Sequence, residues 1–215
     1  MNIFILSKNP KKCAQMHCDK HNIKMILEHA QMLSTVYRMS VGELMQVRVK
    51  QNDGTYKTKE WYAVDSDTIK IRKNSIPELI DYCIYAPTHI NHPCTVWVRK
   101  SLSNYNWLVQ MTKHLNDEYK YRFNHTENHK SWDMISDYLL EIDNLSDFGL
   151  TKPALAMDDE YKISSGFNIS QTKAIIKRKE SVLLVIKSYR NYYAKAKANL
   201  LTYTKRDKPK WLEEY

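Results

Sequence analysis

The chain has 215 residues, 43% of them apolar, and 33 lysines and arginines against 24 aspartates and glutamates, a formal net charge of +9. That is enough apolar material for a folded core. The four glycines form no GxGxxG and no GxxxxGK[ST], which argues against glycine-rich nucleotide loops. No run of about 18 apolar residues offers a membrane span, no signal-peptide pattern opens the chain, and four cysteines without a CxxC pair point to free thiols in a reducing cytosol.

The elements follow in chain order. "NIFILS" is a short strand candidate. Asn9 and Pro10 suit the cap and first position of a helix, expected to run to about Tyr37. Its core face is Ile23, Ile26, Leu27, Ala30, Leu33 and Tyr37 at helical spacing. Residues 44–72 alternate around an Asp53-Gly54 turn and again in "TIKIRK", which predicts a β-hairpin or three-stranded insertion. "SIPELIDYCIYA" reads as a short helix capped by Ser75. Pro93 begins a second long helix to about Phe123, with Trp97, Tyr105, Leu108, Leu115, Tyr119 and Phe123 as its apolar stripe. A third helix is expected over about 130–142, an irregular segment over 144–168, and a last helix over about 170–201. Trp211 anchors the tail. The fold class expected is mainly α: one compact helical domain over residues 1–215, with a β insertion at 44–72.

The excess of positive charge favours an anionic partner, most simply nucleic acid. Fifteen tyrosines and five tryptophans interleave with the basic residues, which suits stacking on exposed bases, although such rings also fill cores. The densest polar stretch is "HCDKHNIKMILEHAQ", residues 17–31. On a helix advancing about 100° per residue, His17, His21, Lys24, Glu28 and Gln31 fall within roughly 80° of arc. A solvated face explains such a stripe. Its mixture of imidazole, ammonium, carboxylate and amide also suits chemistry, and Met25, Met32, Cys18 and Leu27 bracket it. Glu28 beside Lys24 can serve acid–base or electrostatic roles, and a buried lysine can act as a nucleophile. Near an anomeric carbon a carboxylate stabilises oxocarbenium-like charge. Asp19 and Lys20 lie at the stripe's edges. His17 and His21, with His89, His92 and Cys94, are the weaker metal alternative, since a lone HxxxH specifies little; neither metal nor cofactor is expected.

Two further clusters stand out. "THINHPCTVWVRKS" puts Asn91 and His92 at a helix start, where backbone N–H groups favour an anion, with Trp97 and Arg99 beyond. Asn91 as a plain cap and Trp97 as core explain the same residues. "KSYRNYYAKAK" interleaves Lys187, Arg190 and Lys195 with Tyr189, Tyr192 and Tyr193. It reads as a phosphate and base surface or, equally, as a tyrosine core stripe with lysines outward.

The ordered set "NIFILSKNPKKCAQMHCDKHNIKMILEHAQMLS", "THINHPCTVWVRKS", "ALAMDDEYK", "SYRNYY" and "KPKW" resembles a set of phage proteins. Those are similar in turn to bacterial members of the pyrimidine-dimer DNA glycosylase (endonuclease V-like) family. The family's D-K-[RH]…K…E…Q pattern falls on Asp19, Lys20, His21, Lys24, Glu28 and Gln31, and its N-H-P motif on Asn91, His92 and Pro93. The resemblance implies a compact, mainly helical protein that binds double-stranded DNA with a flipped base. It also implies glycosidic cleavage assisted by a glutamate, then strand scission through an imine. In the phage glycosylase the nucleophile is an N-terminal amine exposed by removal of methionine. Here Asn2 follows Met1 and normally blocks that removal, which leaves the Met1 amine, Lys20 or Lys24 for the part.

The expectation is therefore a DNA glycosylase with AP-lyase capacity, acting on damaged or modified bases in a host cytoplasm. Glu28, Lys24, Lys20 and Asp19 are the catalytic candidates. His21, Gln31, Asn91, His92, Trp97, Arg99, Lys187, Tyr189 and Arg190 are the binding candidates. A non-catalytic DNA-binding accessory protein and an enzyme on free nucleotides or modified bases are the alternatives.

Overall fold

The computed structural model describes residues 1–73, 75–138, 142, 144–163 and 174–215, with backbone alone over 174–180. Among them are six α-helices and a four-stranded mixed sheet, so the protein is α/β. The mainly helical expectation is corrected here: the insertion is wider than a hairpin and recruits a segment that the sequence pattern assigns to a helix.

The start of the chain runs through the core. Ile3, Phe4, Ile5 and Leu6 are buried, yet this segment joins no sheet among the described residues. Side chains satisfy much of its backbone in place of a ladder. Leu6 N–H donates to Cys13 Sγ, Arg190 Nε donates to the Leu6 carbonyl, and Trp107 Nε1 to that of Lys8. The predicted strand is therefore an apolar plug.

Helix α1 spans Pro10–Met16, with Asn9 Oδ1 accepting from Lys12 N–H at 2.9 Å, as the Asn-Pro start implies. The expected single helix then breaks. His17 and Cys18 are extended, and α2 spans Asp19–Val41. No proline or glycine marks the break. Tertiary bonds hold it: Cys18 N–H donates to Tyr193 Oη at 2.9 Å and Asp19 N–H to the Thr202 carbonyl at 2.9 Å.

After Gly42 the chain enters β1 (Glu43–Lys50), which pairs antiparallel with β2 (Tyr56–Ala63) around the turn at Gly54, whose φ is +84°. β3 spans Thr68–Lys70 and β4 Glu78–Asp81. β4 lies parallel to β1 and antiparallel to β3, in the order β2-β1-β4-β3. The expected helix in "SIPELIDYCIYA" is thus a strand: pairing with β1, with Leu79 buried beside Val47 and Trp61, overrides local helical preference.

Arg38 of α2 ties this sheet to the helices. Its fully buried guanidinium donates to both oxygens of Asp67, at 2.6 and 2.8 Å, and to the carbonyls of Tyr62, Ile84 and Tyr85. It also lies 4.7 Å over the Trp61 ring.

The second long helix breaks as well, into α3 (Pro93–Val98) and α4 (Leu102–Phe123), with extended Ser101 between. α5 spans Lys130–Ser136 and α6 Ala174–Ala196. The start of the expected last helix, before 174, lies outside the described residues, as does part of 139–143. α2 packs against α3, α4 and α5, and α1 against α4. No helix among the described residues is long and apolar enough to cross a membrane.

Candidate active site

Burial of Ile3–Leu6 leaves the two preceding residues little freedom, and they meet the carboxylate of Glu28. Asn2 N–H donates to Glu28 Oε2 at 2.8 Å, and the α-amino group of Met1 lies 3.8 Å from the same oxygen. Lys24 Nζ, one helical turn back, lies 3.2 Å from Oε1. The Met1 and Glu28 side chains are 3% and 12% exposed, against 61% for Lys24. A largely buried carboxylate therefore faces a terminal amine on one side and an ammonium at the rim. Asn2 fixes the geometry from its other side: its side-chain amide donates to the Ala156 carbonyl at 2.8 Å, and its Oδ1 accepts from Ile3 N–H.

Helix α3 closes the other flank. His92 caps it, Nδ1 accepting from Cys94 N–H at 3.2 Å. Its imidazole is held below the ordinary histidine range by burial, by the Met1 ammonium and by His89, with Glu28 opposing. The His89 ring lies 6.4 Å from that of His92. Thr95 Oγ1 touches Met1 Sδ at 4.0 Å. Burial pushes the Cys94 thiol up to about 12, which keeps it protonated and removes it as a nucleophile. Two non-glycine residues with positive φ flank the site in the chain: Phe4 at 46°, two residues after Asn2, and His89 at 50°, three before His92. Backbone held in this sparsely populated region costs free energy that its surroundings must offset.

The other sequence candidates are placed as follows. Asp19 and Glu28 are nine residues apart on one helix, which sets them on opposite faces and about 13 Å apart along the axis. Asp19 is committed elsewhere. Its carboxylate accepts from Thr204 N–H and Oγ1 and, at 3.2 Å, from buried Arg122, which also pairs with Glu118. It clamps the C-terminal segment and does not reach the Glu28 cluster. Lys20 is exposed on α2, two turns before Glu28.

His17 and His21 belong to the core. His17 lies at the α1–α2 joint, outside the helical stripe assigned to it, its Nδ1 2.8 Å from the Cys13 carbonyl oxygen. His21 stacks on Phe4 with ring centroids 4.7 Å apart, and its Nδ1 lies 2.8 Å from Tyr193 Oη. Burial lowers the two imidazoles to about 3 and about 4, so both are neutral at pH 7. Tyr189 and Trp97 are buried, bonded to the carbonyls of Ala154 and Thr151, and present no face to a base. The tyrosine-core reading of α6 is the one the geometry matches, with Lys187 exposed beyond it. Arg190 is turned to the Leu6 carbonyl and the Trp211 ring. Arg99 donates to the Ile90 carbonyl and holds the loop before α3. Gln31 is half-buried and Asn91 exposed. Among the described residues no group of three His, Cys, Asp or Glu side chains could hold a metal ion.

Asn2 is a site residue that the sequence patterns do not single out. Its signal is indirect: an apolar run beginning at residue 3 must be buried, which brings its polar predecessor to the edge of the core. Recesses of about 250 Å³ beside Tyr37 and Tyr138, and of about 330 Å³ between Lys11 and Arg206, are lined by other residues. No protein-family model, curated protein or solved structure matches the chain.

Proposed function

We propose that this protein processes bases in double-stranded DNA, cleaving the N-glycosidic bond of a damaged or modified base in a host cytoplasm, with Glu28 as the catalytic carboxylate. The observation that carries the reading is the meeting of Glu28 with the Met1 α-amine and Lys24 Nζ at the edge of an exposed basic helix face. A carboxylate so placed stabilises positive charge at the sugar's anomeric carbon and takes a proton from the amine that attacks it. In that step the amine nitrogen bonds to C1′ as the bond to the base breaks. The electron pair leaves on the base, which takes up a proton. Ring opening then gives an imine, which borohydride reduces to a stable adduct. The net charge of +9 suits the polyanionic substrate.

One observation favours a second reading, a DNA-binding accessory protein without catalysis. Glu28 Oε2 also accepts from the Asn2 backbone N–H, so the carboxylate serves as an anchor for residues 1–6 whether or not it does chemistry. The test separates the two. Duplexes carrying a pyrimidine dimer, uracil or a hypermodified base are incubated with the protein, with and without borohydride, and the adduct is mapped to Met1, Lys20 or Lys24 by mass. The enzyme reading expects cleavage and an adduct, with Glu28→Gln lowering the rate about 100-fold or more while duplex binding persists. No cleavage and no adduct across the panel overturns it, and salt-dependent duplex binding unchanged by Glu28→Gln then supports the accessory reading.

A further inference from the structure

Helix α2 exposes a face that ordinary solvation does not account for. Its outward residues are Lys20, Ile23, Lys24 and Leu27. Ile23 and Leu27 are 39% and 37% exposed. They are neighbours at i, i+4, and on a helix with about 100° per residue the four outward side chains share about 100° of arc. A helix face meant only for water takes lysine, glutamate or glutamine, all better helix formers than β-branched isoleucine and cheaper to expose. Two adjacent branched apolar groups set between lysines break that rule, and Leu27 is the residue next to Glu28.

The surroundings are cationic. Lys20 and Lys24 are exposed on the first turns of α2, and Lys197, just past α6 with its ammonium over the Tyr192 ring, lies near enough to act with them on His21 electrostatically. The opposite side of α2 is fixed by buried Met25, Ile26, Ala30, Met32 and Leu33, so the face is stiff.

We infer that Ile23 and Leu27 form an apolar wedge that enters the base stack of duplex DNA while Lys20, Lys24 and Lys197 hold the flanking phosphates. This rests on the reading of the protein as one that acts on duplex DNA, and charge complementarity selects that partner. The two side chains stand about 6 Å apart along the helix axis. That is less than two base steps of about 3.4 Å, so the pair serves one opened step. Apolar wedges of this kind unstack a step and kink the duplex. An opened step beside Glu28 lowers the cost of extruding the base whose glycosidic bond is to be cut.

The test uses the full chain and duplexes carrying 2-aminopurine next to a mismatch, whose fluorescence rises when the base unstacks. Wild type at saturation is expected to raise it several-fold. The Ile23→Ala/Leu27→Ala double variant, which shortens two partly exposed side chains, should lose most of that rise. Its log affinity against log salt should keep the wild-type slope. Lys20→Ala should do the reverse, lowering the slope by about 1 while keeping the rise at saturation. Leu27→Phe should restore or exceed the rise of Leu27→Ala. Salt-dependent binding with no fluorescence rise in wild type, or a full rise in the double variant, overturns the wedge and leaves DNA binding standing. No salt-dependent duplex binding by wild type overturns both.

Discussion

Asp67→Asn tests how the sheet is held to the helices. The Asp67 side chain is fully buried against Arg38, and its Oδ2 also accepts from Trp61 Nε1 at 2.8 Å and Val64 N–H at 3.1 Å. Burial alone would raise this carboxyl's pKa. The hydrogen bonds from Arg38, Trp61 and Val64, with the Arg38 charge, outweigh that and hold it below the usual carboxylate range. Asparagine keeps the shape and removes the charge. Either orientation of its amide points an NH₂ at a guanidinium N–H, so one bond is lost in addition to the compensating charge. Breaking a buried pair on one side costs about 3–5 kcal/mol because the remaining charge is stranded. For a chain of this size that is a fall in Tm of roughly 6 to 20 °C.

The assay is urea unfolding followed by tryptophan fluorescence, which Trp61 reports from within the affected network. Arg38→Met/Asp67→Leu leaves no charge buried but strands the Tyr62, Ile84 and Tyr85 carbonyls and the N–H groups of Trp61 and Val64, so it should lose stability too, yet less than the sum of the two single losses. A loss under about 1 kcal/mol for Asp67→Asn would refute the reasoning. So would a double variant that loses the sum of the two single losses, because coupling across a contact is what the geometry demands.

Two other outcomes follow from packing and charge. Gly42 joins α2 to β1 where a methyl group would sit 2.5 Å from the Arg38 carbonyl oxygen and 2.8 Å from that of Ala63. Gly42→Ala should therefore destabilise by about 1–3 kcal/mol, and a variant whose urea midpoint equals the parent's would show the junction to be slack. His17, His21 and His29 are buried, with pKa values lowered by burial to about 3, 4 and 3. Unfolded histidines titrate near 6.5, so below that pH the unfolded state binds more protons, and stability falls as pH drops toward the folded values. Each histidine contributes up to about 1.4 kcal/mol per pH unit in that window. A Tm that stays flat from pH 7.5 to 5.5 would show these rings to be solvated.

The sequence is informative where local chemistry decides. Asn9-Pro10 starts α1 and Asp53-Gly54 turns the hairpin, because each depends on one or two residues' own conformational preferences, whereas α3 is capped by His92 and not by Asn91. It is silent where distant partners decide. The α1–α2 break depends on Tyr193 and Thr202, more than 170 residues away, and β4 depends on the parallel edge of β1. The face of α2 differs in part for a related reason. Ile26, Ala30 and Leu33 are buried as helical spacing predicts, but Ile23 and Leu27 are exposed, and the buried face also carries His21, Asn22, Met25 and His29. Polar side chains are admitted there because partners wait for them: Tyr193 for His21, the Leu115 carbonyl for Asn22, and Thr112 for His29. A hydrophobicity pattern cannot register a polar residue whose hydrogen bond is supplied from another helix.

That rotation of α2 alters what its histidines do. His17 and His21 look like ligands in the sequence, yet in the fold they line the slot for residues 3–6. Phe4 stacks on His21, meets His17 edge-on with centroids 6.2 Å apart, and packs edge-on against Tyr193. Because Phe4 is held there with φ at 46°, the chain start cannot slide, and Asn2 N–H and the Met1 amine come to rest at Glu28. Tyr193 Oη accepts from Cys18 N–H and hydrogen-bonds His21 Nδ1, which holds the slot open. The geometry of the Glu28 cluster is thus set about two helical turns away, by neutral, buried aromatic rings. On this argument the cluster should loosen as His21 takes up a proton at acid pH.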